Sequence, residues 1–239
     1  MSKLEIIVET LEDAMAAEKG GATQLDLKAH YPSGGITPTI GTVMNIIRKV
    51  KIPIVMMVRP HARSFSLTAG DIAIASSDIQ FGRVMGVQDF MFGCMTPEGK
   101  MDIKAMQSLH EAAGDSRIHM HLAWELCDDP WQALQTVLDM GFSSLHTGGL
   151  STGGKAIGGR AMDSSGTIRK IAEIVDGRME IFLAGSVSSE NAVDLMKATG
   201  ITNLHCGRGV RTPITADGKV DENKVRLLRQ TQMAELSKM

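Results

Sequence analysis

The side chains best suited to proton transfer lie in one short stretch in the middle of the chain. His119, His121, Ala123 and Glu125 occur at every second position, and side chains two apart share one face of a β-strand. Because an imidazole titrates near neutral pH, His121 and Glu125 are candidates for a general acid/base pair. The alternative is structural, with the histidine hydrogen-bonded inside the protein and Glu125 capping the next helix.

Charged side chains also lie at the ends of the second and third predicted strands. Asp26 and Lys28 end one strand, and Arg59 ends the other. A buried charge needs a partner, so this arrangement predicts either a salt bridge between Asp26 and Arg59 or a site where Arg59 binds a substrate carboxylate or phosphate. Asp26 is a third candidate catalytic residue, and Lys28 is a candidate for substrate binding. A Schiff-base role for Lys28 rests on its position alone.

Glycine-rich stretches follow the last three predicted strands, at residues 147–149, 184–187 and 206–209. Glycine lets backbone N–H groups approach an anion closely, whereas the plain alternative is that these glycines only make tight turns. The candidate substrate-binding residues at these strand ends are Thr147, Gly185, Ser186, His205 and Gly207. The long glycine-rich loop 149–163 is predicted to be a mobile lid.

These side chains need a scaffold that brings strand ends together, and the pattern of the chain predicts one. Apolar runs alternate with amphipathic segments, which indicates parallel strands joined by helices. Strands are expected near 4–10, 22–28, 52–59, 89–95, 118–125, 143–148, 180–186 and 202–208. Helices are expected near 11–19, 39–50, 68–85, 102–113, 129–140, 164–176, 188–198 and 221–237. Eight such units predict an α/β fold, a single-domain (β/α)₈ TIM barrel over residues 1–239, with an open doubly wound sheet as the alternative.

A repeated frame predicts which side chains face the barrel interior. A glycine precedes each even-numbered strand, at Gly21, Gly86, Gly141 and Gly200. The fifth position after each glycine is occupied by Asp26, Met91, His146 and His205. The seventh position is occupied by Lys28, Gly93, Gly148 and Gly207. Because alternate strands contribute the side chains of one interior layer, the first set is expected to form such a layer and the second to lie nearer the C-terminal rim.

Composition restricts the partners and the compartment. The net charge of −2 provides no field that selects nucleic acid or an anionic membrane, and no apolar run approaches the length of a membrane span. Cys94, Cys127 and Cys206 are widely spaced, which argues against disulfides and predicts a cytoplasmic location. Their spacing fits no metal site, so no metal ligand is predicted. A homo-oligomer is compatible with the sequence.

Several segments carry a family resemblance. They are Leu4-Glu5-Ile6, Gly21-Ala22, Leu25-Asp26-Leu27, residues 34–39 (Gly-Gly-Ile-Thr-Pro-Thr), Ile52-Pro53 through Arg59-Pro60, Phe65, His121 with Ala123, Cys127 through Pro130, Leu183-Ala184-Gly185, Asn191 and His205. Together they resemble the CutC copper-homeostasis family over about residues 4–210. The resemblance implies a (β/α)₈ barrel, a cytoplasmic location and a role in copper homeostasis. Copper as a cofactor is implied by this resemblance alone.

The chain departs from the family pattern where chemistry is expected. Asp26 stands where the family usually has Glu, and Lys28 stands where it usually has Cys. Residues 121–125 read His-Leu-Ala-Trp-Glu, whereas the family reads His-Arg-Ala-Phe-Asp. Loss of that cysteine and arginine indicates a divergent member with its own ligand. Because Cys94, Cys127 and Cys206 lie in separate units without ligand spacing, no high-affinity copper site is predicted.

Three functions follow from these observations. The first is a CutC-like cytoplasmic barrel protein of copper homeostasis. The second is a barrel lyase, isomerase or hydrolase that acts on a small anionic sugar-like or acid substrate. There, His121 and Glu125 would transfer protons, while Arg59 and the loops after strands seven and eight would hold the anion. The third is a barrel that binds a small molecule without catalysis. The expected partner is therefore a small anionic ligand.

Overall fold

Eight parallel strands close into a barrel in the order in which they follow along the chain. The computed structural model describes residues 2–150 and 161–238. Its barrel strands are β1 (Leu4–Val8), β2 (Gln24–Leu27), β3 (Ile54–Met57), β4 (Asp89–Met91), β5 (Arg117–Met120), β6 (Ser144–Thr147), β7 (Glu180–Leu183) and β8 (Asn203–Cys206). Pairing of β1 with both β2 and β8 closes the barrel, so the predicted TIM barrel is confirmed and the open sheet is wrong.

A helix follows each barrel strand and covers the outside of the barrel. The helices are α1 (Leu11–Lys19), α2 (Ile40–Ile47), α3 (Ala69–Val84), α4 (Ile103–Ala113), α5 (Pro130–Asp139), α6 (Ser165–Val175), α7 (Ala192–Thr199) and α8 (Glu222–Leu236). Six of them begin at a side chain that accepts a hydrogen bond from the first turn: Thr10, Thr39, Thr68, Asp102, Asp129 and Asp221. No helix among the described residues has both the length and the apolar character needed to cross a membrane.

The apolar core lies between the strands and the helices, whereas much of the barrel interior is polar. Leu4, Ile6 and Val8 of β1 belong to the main core, because side chains at every second position face the helices. Glu5 lies between them on the other face and is fully buried. Val55, Met57 and Met91 form a separate small apolar cluster. A layer of charged and polar side chains therefore has to be satisfied inside the barrel.

The fifth strand is shorter than predicted. The pattern predicts a strand over 118–125, but β5 ends at Met120 and a 3₁₀-helix follows at Leu122–Leu126. The Nδ1 atom of His121 accepts a hydrogen bond from the backbone N–H of Ala123 at 3.1 Å, which caps this turn. Such local side-chain bonds compete with the strand ladder. The alternation of His121, Ala123 and Glu125 therefore does not continue as strand.

A buried arginine after the last barrel strand bonds to the first strand and the first helix. Arg211 begins a hairpin of β9 (Arg211–Thr212) and β10 (Lys219–Val220), which the sequence did not predict. Its guanidinium donates to Asp13 of α1 at 3.4 Å and to the carbonyl of Ile7 at 3.0 Å. It also bonds the carbonyl of Gly218 and lies 5.2 Å from the ring centre of Tyr31. Arg211 therefore joins β1, α1 and the hairpin.

Replacing Arg211 by Met should lower the free energy of unfolding by about 3–5 kcal/mol, because it leaves Asp13 buried without its cation. Urea denaturation measures this change. Arg83→Met is the matched control, since the pair of Arg83 with Asp115 lies on the surface, with 40% and 93% of the two side chains exposed. That control should cost no more than about 1 kcal/mol. Equal losses in the two variants would contradict the role of Arg211.

Candidate functional site

A cavity of about 340 Å³ opens at the C-terminal ends of the barrel strands. Seven of the ten candidate residues line it: Asp26, Lys28, His121, Gly185, Ser186, His205 and Gly207. Tyr31, His146 and Arg208 line it as well. Glu125, Arg59 and Thr147 are not among the lining residues. The closed barrel thus brings together strand ends that are far apart in sequence.

The interior layer predicted from the glycine frame is confirmed. Asp26, Met91, His146 and His205 all line the cavity and come from β2, β4, β6 and β8. Glu5 of β1 joins the two histidines of this layer, which makes the floor of the cavity strongly polar.

Glu5 makes the shortest of these contacts. Its Oε1 lies 2.5 Å from Nε2 of His146 and 3.7 Å from Nε2 of His205. Its Oε2 accepts a hydrogen bond from the amide of Gln24. Burial raises the pKa of Glu5, but the charge and hydrogen bond of His146 outweigh burial and hold that pKa below its usual value. Burial likewise lowers the pKa of His146, but Glu5 outweighs it, so the pKa of His146 is raised. The two groups therefore form an ion pair.

Asp26 is held by Lys28 and His205, not by Arg59. Its Oδ2 lies 2.7 Å from Nζ of Lys28 and 2.9 Å from Nε2 of His205. Burial raises the pKa of Asp26, but these two partners outweigh burial and leave the pKa well below its usual value. Burial also lowers the pKa of His205, since the contact with Asp26 offsets it only in part. The Oδ1 atom of Asp26 is buried and has no hydrogen-bond partner among the described residues.

His121 is a neutral hydrogen-bond donor. Its Nδ1 accepts from the backbone of Ala123, so the hydrogen of the neutral ring must lie on Nε2. Burial lowers the pKa of His121 to about 3, helped by the charges of Arg59, Lys28 and His146. The Nε2 atom has no partner within the described part of the chain. A ring that titrates near neutral pH was expected, but this burial keeps His121 uncharged.

Glu125 and Thr147 bond to each other behind the cavity. The 3₁₀-helix turns Glu125 towards β6, where its Oε1 accepts from the hydroxyl of Thr147 at 2.7 Å. The same oxygen accepts from the backbone N–H groups of Gly148 and Gly149 at 2.8 and 3.1 Å. Burial raises the pKa of Glu125. This geometry matches a structural role, although Glu125 holds a strand end rather than capping a helix.

Arg59 acts on loops rather than on the cavity. Its guanidinium donates to carbonyl oxygens of Ser33 and Gly35 in one loop and of Ala62 and Ser64 in another, at 3.1–3.4 Å. It forms no salt bridge with a described residue, so the predicted pair with Asp26 is absent there. The guanidinium also lies 4.1 Å from the ring centre of Phe65, and that ring lies 5.0 Å from the ring of His121. Arg59 therefore positions groups around the cavity.

The loop after β7 lines the cavity with Gly185, Ser186 and Val187. Gly185 and Ser186 both have positive φ angles, 89° and 59°. Such a conformation is uncommon for a residue with a side chain and often marks a functional position. Asn191 fixes the loop by donating to the carbonyl of Ser186 at 2.8 Å and accepting from the N–H of Ser188 at 2.9 Å. Within the described ranges, the N–H groups of residues 185–187 donate to no other residue.

The candidate site residues predicted from the sequence did not include Glu5, Tyr31, His146 or Arg208, although His146 was placed in the interior layer. Glu5 interrupts the apolar strand Leu4–Val8, and a carboxylate at that position is the signal that was available. Tyr31 lies in a short 3₁₀-turn, Tyr31–Ser33, with no pattern that indicates a contact with β8. Most of the predicted lid, residues 149–163, lies outside the described residues.

Gly207→Ala should deform the cavity, because a Cβ atom at this position would lie 2.1 Å from the Tyr31 hydroxyl oxygen and 2.8 Å from Cδ1 of Ile7. We expect a stability loss of about 1–3 kcal/mol by thermal unfolding. Gly166→Ala in α6 is the control, since its Cβ meets only the tip of Arg169 at 3.9 Å. A loss that persists undiminished in a Tyr31→Ala background would show that the clash with Tyr31 is not its cause.

The sequence is similar to proteins of one family along most of its length. The sequence model of the CutC family matches residues 2–210. The human copper homeostasis protein cutC homolog is 28% identical over 203 residues, which cover 85% of this chain and 72% of the human protein. A CutC family protein of Pasteurella multocida is 28% identical over 225 residues, which cover 92% of this chain and 89% of that protein.

The fold of the chain is also similar to that of a solved structure. A CutC protein of Streptococcus agalactiae superposes with a TM-score of 0.79 at 22% identity, covering 87% of this chain and 98% of the other. At that identity the likeness shows the fold alone. Because the family match extends over far more than half of the 239 residues, the chain belongs to the CutC family.

Proposed function

We propose that this CutC family member binds a small anionic ligand in the rim cavity and transfers a proton on it. One observation carries the proposal. Two buried polar atoms without a described partner, Oδ1 of Asp26 and Nε2 of His121, belong to residues that line the same cavity. One is an acceptor and the other a donor. A ligand that satisfies both would remove the cost of leaving them unpaired.

The positively charged groups that line the cavity favour the binding of an anion. The lining residues include one lysine and one arginine, Lys28 and Arg208, and the N–H groups of residues 185–187 add further donors. Asp26 is ionised but shares its charge with Lys28 at 2.7 Å. The anionic part of the ligand therefore belongs near Lys28, Arg208 and the loop after β7.

The same groups suit proton abstraction next to a carbonyl. The carboxylate of Asp26 would accept the proton, and the neutral ring of His121 would donate a hydrogen bond to the oxygen where negative charge develops. This chemistry belongs to the lyase and isomerase classes. Glu125 is then a structural residue and Arg59 a positioning residue. A barrel that only binds the anion is the second candidate, favoured by the low pKa of Asp26, which weakens it as a base.

A copper role is stated by the names of the relatives, but the cysteines do not fit a copper(I) site. Burial raises the pKa of Cys94 and Cys206 to about 12 and that of Cys127 to about 11, so the metal-free thiols are protonated. Among the described residues, no cysteine belongs to a cluster of three potential metal ligands. Cys127 lies 3.4 Å from the sulfur of Met101 as a neutral thiol. The cytoplasmic location predicted from these cysteines stays a prediction.

Inorganic phosphate is the probe that tests the anion site. Isothermal titration should detect binding to the wild-type protein, and Arg208→Met or Lys28→Met should weaken it by roughly tenfold or more, as expected for a charge-assisted hydrogen bond. Arg63→Met is the matched control, because Arg63 is an exposed arginine that does not line the cavity. Binding that survives both lining variants, or that Arg63→Met weakens as much, would contradict the proposal.

The neutral state of His121 predicts how stability depends on pH. The pKa of His121 is about 3 in the folded protein and that of an unperturbed histidine is 6.5, so between those values only the unfolded chain binds this proton. The neutral ring therefore contributes fully to the free energy of unfolding above pH 6.5. This contribution decreases as the pH falls, and about 2 kcal/mol of it is lost at pH 5. His121→Gln should therefore flatten the stability profile between pH 7 and pH 5 in urea denaturation. Identical slopes for variant and wild type would contradict a neutral buried ring.

A further inference from the structure

Three potential ligand atoms converge at the floor of the cavity. One oxygen of Glu5 and one ring nitrogen each of His146 and His205 lie within 4.8 Å of one another. They come from β1, β6 and β8, so they do not form a motif with a recognisable spacing in the sequence. We infer that this cluster binds a divalent transition-metal ion, with Zn²⁺ as the matching probe, because imidazole and carboxylate groups are its usual ligands.

Hydrogen bonds from neighbouring groups orient His146 and Glu5, as is usual for metal ligands. Nδ1 of His146 lies 3.1 Å from the carbonyl oxygen of Met120, which can only accept. That ring therefore carries a hydrogen on Nδ1, and its Nε2 is directed at Glu5. An ion that binds Nε2 would displace the proton through which the ring bonds to Glu5 in the metal-free protein. The amide of Gln24 holds the other oxygen of Glu5. Metal-binding histidines and carboxylates are oriented by such partners.

The distances between the ligand atoms fit a tetrahedral ion. Ligands about 2.0–2.1 Å from zinc lie about 3.3 Å from one another in a tetrahedral site. Oε1 of Glu5 is 2.5 Å from Nε2 of His146 and 3.7 Å from Nε2 of His205. These two values bracket the required distance. To hold an ion, Oε1 of Glu5 and Nε2 of His146 therefore need to move apart by less than about 1 Å.

The charge of Glu5 also favours a cation. Glu5 is fully buried, and among the described residues only histidines lie within salt-bridge distance of its carboxylate. Asp26, by contrast, has Lys28 at 2.7 Å. A buried carboxylate needs a cation, and in the metal-free protein the protonated ring of His146 is that cation. A bound metal ion would take over this role.

The site would keep one position open. His146 and His205 line the cavity, so a ligand or water there can reach an ion that they hold. Three protein ligands and one open position are typical of catalytic rather than structural zinc. This inference does not depend on the anion proposal, because metal binding is measured without any further ligand.

A second buried histidine provides a control in the same barrel. His119 contacts Asp89 at 2.8 Å and Ser144 at 2.7 Å. Asp89 is neutralised by Arg117 at 2.8 Å, and no other histidine joins the group within the described residues. His119→Gln therefore removes a buried histidine and its carboxylate contact without touching the proposed metal ligands.

The experiment titrates metal-free protein with Zn²⁺ against a chromophoric chelator and measures the metal content by mass spectrometry. We expect one Zn²⁺ per chain and a higher melting temperature in the wild type, in His119→Gln and in a variant with Cys94, Cys127 and Cys206 all replaced by Ser. His146→Gln and His205→Gln should each weaken the affinity by at least about tenfold, since even changes behind the ligands cost 10–100-fold.

The inference is overturned if the wild type binds no Zn²⁺, if the cysteine variant loses binding, or if both histidine variants bind unchanged. If a variant fails to fold, spectroscopy of the wild-type protein loaded with Co²⁺ tests the inference instead. A thiolate-to-cobalt charge-transfer band would assign the ion to a cysteine and overturn the inference. Bound Co²⁺ without that band, together with perturbed NMR signals of the His146 and His205 rings, would support it.

Discussion

The requirement that charges buried inside the barrel be balanced governs the rest of this structure. Glu5, Asp26, Lys28 and His146 are all buried and all carry or share charge in the interior. Each would be costly alone, so each has to meet its partner within a few ångströms. In the described residues they meet as two linked pairs, and His205 lies between them. The apolar core around the barrel cannot supply these contacts, because it lies on the other face of the strands.

This balance also fixes which strands meet. Glu5 of β1 bonds to Gln24 of β2 and His146 of β6, while His205 of β8 bonds to Asp26 of β2. A shift of one residue along any of these strands would turn its polar side chain into the apolar layer under the helices. The polar layer therefore favours one register for the barrel, a role that buried polar groups have in some other proteins.

The sequence predicted features that depend on local periodicity and failed where distant strands determine the outcome. Apolar alternation and the glycine frame were enough for eight β/α units and for the inward direction of Asp26 and His205. They did not reveal that Glu5 meets His146, because these residues are 141 positions apart. The loop contacts of Arg59 were missed for a related reason. Its partners are carbonyl oxygens of loops, and backbone groups leave no signal in residue types.

The two ends of the barrel show where function lies, because they use similar residues differently. At the N-terminal end, His119 bonds to Asp89 and Ser144, and none of these side chains has a buried atom without a partner in the described structure. At the C-terminal end, His121 and Asp26 each keep such an atom beside a cavity. An unpaired buried polar group costs about 1–3 kcal/mol, and folding alone gives no reason to retain two of them together. A ligand that bonds to both atoms would remove this cost. Two unpaired groups beside one cavity therefore indicate the site more strongly than the single unpaired atoms of Glu125 and Arg211, which have structural contacts.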